Sequence, residues 1–221
     1  MDKEKSKLKK FCMDQGASLF GVADISKVKK DFNLQPEEIQ GLDRAICIGY
    51  ALSKKVLDGA KDHPTKLYYH HYKQVNSLLD QIALQVVSLL QKNGFNGLAI
   101  PASQVLNWEK QEVHLSHRKI ARMAGLGWIG RSNLLINEKI GSNFRLVTVL
   151  TDALLVPDKE INFGCSKCRA CVIVCPAKAI KDEPLDFDHV SCYEKLREFR
   201  KLGYGDQYIC GVCVRVCRGN K

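Results

Sequence analysis

Apolar residues recur along this chain with two distinct periods, and the two alternate. From Lys3 to Gly16 the spacing of Leu8, Phe11 and Cys12 is helical, and Gly16 ends the run. Ser18–Ala23 is a short apolar run that predicts a buried strand, and Pro36 with its polar neighbours predicts a loop. Arg44–Ala51 is apolar enough for a central strand. The longest periodic stretch runs from about Lys66 to Lys92, with Tyr72, Val75, Leu79, Ile82, Val86 and Leu90 on one stripe. Asn93-Gly94 closes it. Gly97–Ile100 predicts a short strand, Val113–Ala124 a second helix and Asn143–Leu150 another strand. Helices alternating with strands predict a layered α/β or α+β domain.

The chain has 221 residues, 45% of them hydrophobic. The first ~160 suffice for one domain with its own core. No apolar run approaches the ~18 residues that cross a bilayer, so no membrane association is expected. Nothing at the N-terminus resembles a signal peptide. Ten cysteines in such a chain point to a reducing compartment, the cytoplasm.

The cysteines change the picture after residue 160. Cys165, Cys168, Cys171 and Cys175-Pro176 form the Cys-x2-Cys-x2-Cys-x3-Cys-Pro run of bacterial ferredoxins. In that arrangement the fourth thiolate serves the other cluster of a two-cluster module, which demands a second set. Cys192, Cys210, Cys213 and Cys217 supply it. By ferredoxin logic Cys165, Cys168, Cys171 and Cys217 hold one 4Fe–4S cluster, and Cys175, Cys192, Cys210 and Cys213 hold the other. Two all-thiolate zinc sites are the competing reading. A disulfide framework belongs to small secreted chains. Cys12 and Cys47 stand outside the pattern in apolar surroundings, as buried thiols.

The formal net charge is +10. Part lies in the lysines of the first helix, and part around the cysteines, where Lys167, Arg169, Lys178, Arg215 and Arg218 would offset anionic clusters. A basic surface also suits an acidic electron donor or a nucleic acid. Three glycines in Ala124-Gly125-Leu-Gly127-Trp128-Ile-Gly130-Arg131-Ser-Asn133 imply backbone in close contact with a ligand, or a structural turn. His114 and His117, three apart on the predicted helix, share a face. His70 and His71 are adjacent and point apart.

Leu115-Ser116-His117-Arg118, the glycine-rich segment, Gly141-Ser142, Thr151-Asp152 and the cysteine run occur in the order found in epoxyqueuosine reductases. The chain resembles that family and its relatives the reductive dehalogenases, most clearly from Leu115 to Cys217. The resemblance implies an α+β fold: a nitroreductase-like cobalamin-binding domain over residues 1–160, then a ferredoxin-like domain with two 4Fe–4S clusters over 161–221. It implies that electrons pass from a low-potential donor such as flavodoxin or ferredoxin, through the clusters, to cobalt. It implies corrinoid contacts at Gly125, Gly127, Trp128, Gly130, Arg131, Asn133 and Ser142, in a cavity between the domains.

The chain departs from the family in three places. Epoxyqueuosine reductases continue into a helical domain that grips tRNA, whereas this sequence ends at Lys221. Their proton-donating aspartate falls here at Gln111, and an amide cannot protonate an epoxide. Glu112 and His117 are the candidate acids in its place. Arg218 stands where the family has proline. The expectation is a cobalamin-linked iron–sulfur reductase that does not act on tRNA. The alternative is a non-catalytic electron-transfer or corrinoid carrier protein serving another enzyme.

Overall fold

The computed structural model describes residues 3–161 and 163–219, which divide into two units. The first comprises residues 1–50, 76–126 and 145–161; the second comprises 51–75, 127–144 and 162–221. The division is therefore not a single cut along the chain.

Helix α1 (Lys3–Asp14) buries Leu8 and Cys12, as its spacing predicts. Strand β1 (Leu19–Asp24) follows, then the one-turn α2 (Pro36–Ile39), strand β2 (Arg44–Ala51) and the short α3 (Lys54–Asp58). Helix α4 (Lys66–Lys92) contributes its first residues to the second unit and the rest to the first. It buries Val75, Leu79, Ile82, Val86 and Leu90 of the predicted stripe. Strand β3 (Gly97–Ile100), helix α5 (His117–Met123), the two-residue strands β4 (Trp128–Ile129) and β5 (Leu135–Ile136), and strand β6 (Phe144–Thr151) complete the chain up to the cysteines.

The main sheet has the order β1-β2-β6-β3. β1 pairs antiparallel with β2, Leu19 opposite Gly49, and β3 pairs antiparallel with β6, Gly97 opposite Thr151. Val22, Ala45, Ile46, Cys47 and Ile48 are fully buried, and α5 packs against β1. No helix among the described residues is long and apolar enough to cross a membrane.

The second helix begins four residues later than its apolar spacing predicts. Gln104 is the reason: its side-chain carbonyl accepts from the His114 N–H at 2.7 Å and its amide donates to the Leu115 carbonyl at 2.6 Å. That satisfies extended backbone up to Ser116, the residue that precedes the first helical turn. His114 thus lies outside α5 and shares no helix face with His117; its main-chain carbonyl accepts from Asn33.

In the second unit, β4 and β5 form a separate hairpin, Trp128 opposite Ile136. Helices α6 (Ala170–Val174), α7 (His189–Lys201) and α8 (Val212–Val216) carry the cysteine-rich part. Asp188 caps α7 by accepting from the Ser191 N–H, and α8 packs against both α6 and α3.

Candidate metal centre

Two very short helices organise the thiols. Cys171 lies within α6 and Cys175 terminates it; Cys213 lies within α8 and Cys217 terminates it. Cys165 and Cys168 lie in the turn before α6, where the Cys168 N–H donates to the Cys165 carbonyl at 2.9 Å. Cys192 is on the first turn of α7, and Cys210 precedes Gly211, whose φ of +82° starts α8.

The raised thiols have other cysteines for neighbours, in two overlapping sets. Burial, then the neighbouring Cys165, Cys217 and Cys168, raise the Cys171 thiol to about 11. Burial and Cys175 raise Cys192 to about 11. Burial pushes Cys210 up to about 12, with Cys192 and Cys175 adding to it. Cys213 is raised well above the ordinary thiol range by burial, then by Cys210, Cys192, Cys171 and Cys175. Each helix thus sends its inner cysteine to one group and its terminal cysteine to the other. Cys171 beside Cys213 makes the groups neighbours.

The first group surrounds a cavity. Cys165, Cys168, Cys171 and Cys217 all line it, with Trp128, Ile136 and Gly219. Arg131 and Arg218 line it too and supply positive charge. No three His, Cys, Asp or Glu side chains among the described residues converge as ligands of a single ion do. A cube interposes its own iron and sulfide between the thiolates and so takes sulfurs held further apart. Thiols gathered in this way, four of them around a cavity with cationic walls, fit such clusters.

The glycine-rich segment is the frame of this site. Arg131 donates to three carbonyls: Asp182 at 2.5 Å, Cys168 at 3.0 Å and Ser166 at 2.9 Å. Its fork therefore fixes the turn that carries Cys165 and Cys168. A Cβ on Gly130 would stand 2.6 Å from Ile136 Cγ1 and 3.0 Å from the Cys165 sulfur. Gly141, at φ +64°, lets the Cys217 carbonyl approach where a side chain would collide. The Asn143 side-chain amide donates to that carbonyl at 2.7 Å.

The other residues singled out for a corrinoid are placed as follows. Gly125 packs on the Lys159 carbonyl in the first unit, and Gly127 on the Ile136 carbonyl in the second. Asn133 contacts the His189 ring through its side-chain amide at 3.1 Å. Ser142 and Trp128 are buried, and among the described residues neither the Ser142 hydroxyl nor the Trp128 indole N–H has a partner. Sequence reasoning does not reach Asn143, because its partner lies 74 residues away.

The candidate acids lie in the first unit. Glu112 is exposed, its backbone paired with Asn107, and Gln111 beside it has φ +53°. His117 is engaged at both ring nitrogens. Pro101 offers a carbonyl 2.9 Å from Nε2 and can only accept, so Nε2 carries the proton. Nδ1 then accepts from the Thr148 hydroxyl at 2.8 Å. Burial holds the His117 pKa down at about 4, so the ring is neutral at pH 7 and has no proton free for a substrate.

A search of curated proteins returns epoxyqueuosine reductase of Escherichia coli strain K12, 36% identical over 113 residues. It also returns tetrachloroethene reductive dehalogenase of Sulfurospirillum multivorans, 41% identical over 107 residues. The chain is related to these two kinds of reductase. The aligned regions cover 47% and 42% of this chain but 30% and 21% of those relatives. No family model matches. Among solved structures, a catabolic reductive dehalogenase in complex with 3-bromo-4-hydroxybenzoic acid gives a TM-score of 0.72 at 19% identity, over 97% of this chain and 31% of that one. Epoxyqueuosine reductase from Streptococcus thermophilus gives 0.66 at 21% identity, over 98% and 66%. A reductive dehalogenase for which a B12-dependent mechanism is suggested gives 0.63 at 20% identity, over 79% and 25%. At these identities the structures share the mixed α/β fold.

Proposed function

We propose that this chain is an iron–sulfur redox protein. Cys165, Cys168, Cys171 and Cys217 hold one 4Fe–4S cluster, and Cys175, Cys192, Cys210 and Cys213 hold the other. The observation that supports the reading is the gathering of these thiols around α6 and α8, four of them on one cavity. Clusters of this kind supply one-electron transfer at a potential set by charge, hydrogen bonds and exposure. The residues of this chain do the holding: Arg131 fixes the Cys165–Cys168 turn, Asn143 fixes Cys217, and Arg131 with Arg218 offsets anionic charge. In this reading the sheet-bearing part is the nitroreductase-like domain and the cysteine part the ferredoxin-like one.

A low-potential flavodoxin or ferredoxin is the proposed donor, its acidic surface matched by the net charge of +10. Ten free cysteines suit a reducing cytoplasm. The proposed acceptor is a corrinoid, by likeness to the B12-dependent dehalogenase. Contacts within the chain already account for Gly125, Gly127, Gly130, Arg131 and Asn133. Trp128 and Ser142 keep polar atoms without a partner among the described residues, and no chemistry at cobalt is assigned to the segment.

The contacts those five residues make within the chain favour the second reading in its electron-transfer form, a protein that serves an acceptor enzyme. Gln111 favours it too, since no acid stands at the position where the reductases carry theirs, and epoxide reduction on tRNA is not assigned to this chain.

Anaerobic purification tests the clusters: about eight iron and eight sulfide per chain are expected. Two zinc ions and no sulfide would end the reading. Titration with cobalamin, followed in the visible spectrum, tests for the corrinoid: a carrier or reductase shifts the spectrum and a plain electron-transfer protein does not.

A further inference from the structure

Trp128 has one polar atom, the indole N–H, which donates and cannot accept. The residue is 3% exposed, and that N–H has no hydrogen-bond partner among the described residues. Leaving a buried donor unmade costs about 1–3 kcal/mol, so native proteins satisfy nearly all of them.

The ring is held firmly where it stands. Trp128 pairs with Ile136 across the hairpin, and Gly127 before it packs on the Ile136 carbonyl. Phe163 lies against the indole, centroids 5.8 Å apart. The same ring lines the cavity formed by Cys165, Cys168, Cys171 and Cys217. A buried donor without an acceptor among the described residues thus belongs to a residue lining a cavity walled by four thiols. Thiolate and sulfide sulfurs are anionic acceptors, the class of atom such a donor requires.

We propose that Trp128 donates its indole N–H to a sulfur of the cluster held by Cys165, Cys168, Cys171 and Cys217, and thereby raises that cluster's reduction potential. The inference rests on the cluster reading above. One added electron places more negative charge on the sulfurs, so a fixed donor stabilises the reduced form more than the oxidised one. Arg131 and Arg218, on the same cavity, act in the same direction. The chain has one other tryptophan, Trp108, which belongs to the first unit.

The test is a reductive titration of the anaerobically loaded protein, followed by electron paramagnetic resonance. It compares wild type, Trp128→Phe, and a variant with the indole N–H of Trp128 replaced by sulfur in a benzothiophene side chain. Both variants should lower one of two midpoints and leave the other unchanged. At a fixed ambient potential the reduced-to-oxidised ratio of that cluster should fall on the order of tenfold, about 59 mV for a one-electron couple. An exchangeable proton coupling, seen by electron–nuclear double resonance, should disappear with it. Unchanged midpoints, or a coupling that persists in the benzothiophene variant because water supplies the proton, would overturn the assignment. If Trp128→Phe fails to load, the isosteric variant decides. Wild type without iron and sulfide would instead sink the cluster reading on which the assignment stands.

Discussion

Asn143 donates its side-chain amide to the main-chain carbonyl of Cys217 at 2.7 Å, joining residues 74 apart in sequence. The same amide donates to the Ile140 carbonyl at 2.9 Å, so the loop between β5 and β6 is locked as it grips the end of α8. Cys217 is the one member of its group that does not come from the Cys165–Cys171 run, and this contact delivers it.

Replacing Asn143 with alanine should therefore loosen one ligand of one cluster. A single bond of this kind contributes about 1 kcal/mol, so iron loss to a chelator is expected to quicken roughly five- to tenfold and in one phase of two. Release at the wild-type rate in both phases would show that the contact does not hold Cys217.

Gly130→Ala is a sharper probe of the same group. The new methyl would press on Ile136 and on the Cys165 sulfur, at 2.6 and 3.0 Å. Iron per chain should fall from about eight to about four, with the Cys175 group still loaded. Metal analysis after anaerobic reconstitution reads this directly.

Arg131→Lys keeps the charge and removes the planar fork. One ammonium cannot span the carbonyls of Ser166, Cys168 and Asp182 together. The loaded protein should lose about 1–3 kcal/mol against denaturant. A loss in Arg131→Ala but none in Arg131→Lys would mean that charge, not the fork, is what matters.

His117 sets a pH dependence in the first unit. Its pKa is held at about 4 in the folded protein, against an ordinary 6.5. The unfolded chain then binds the proton more readily, so stability is fully present above pH 6.5 and falls as pH drops from 6.5 towards 4. The loss is at most about 3 kcal/mol. Denaturant titrations across this range should show the slope in wild type and a flatter one in His117→Gln.

The ionisable groups behind that prediction are the part of the chain that local pattern leaves open. The 3.6-residue stripe marks α4 over its whole length, because one face of a long helix must be apolar wherever it packs. β2 and β3 begin and end where the apolar runs do. The start of α5 is not legible, since Gln104, ten residues before His114, satisfies the backbone that would otherwise continue the helix. The β4–β5 hairpin is hidden as well, because two-residue strands carry too few positions to show a period.

The eight thiols and their spacing were determined by the sequence itself, because spacing is a local property that is read without the fold. The part played by the glycine-rich segment was decided only in three dimensions. Its glycines and Arg131 read equally well as ligand contacts or as turn, and tertiary packing resolves them into a frame for the Cys165 turn and Cys217. The physical reason is that close backbone approach and carbonyl acceptors leave no mark on the identity of the residue that provides them. Any residue has a carbonyl, so only the folded chain says whose carbonyl Arg131 meets.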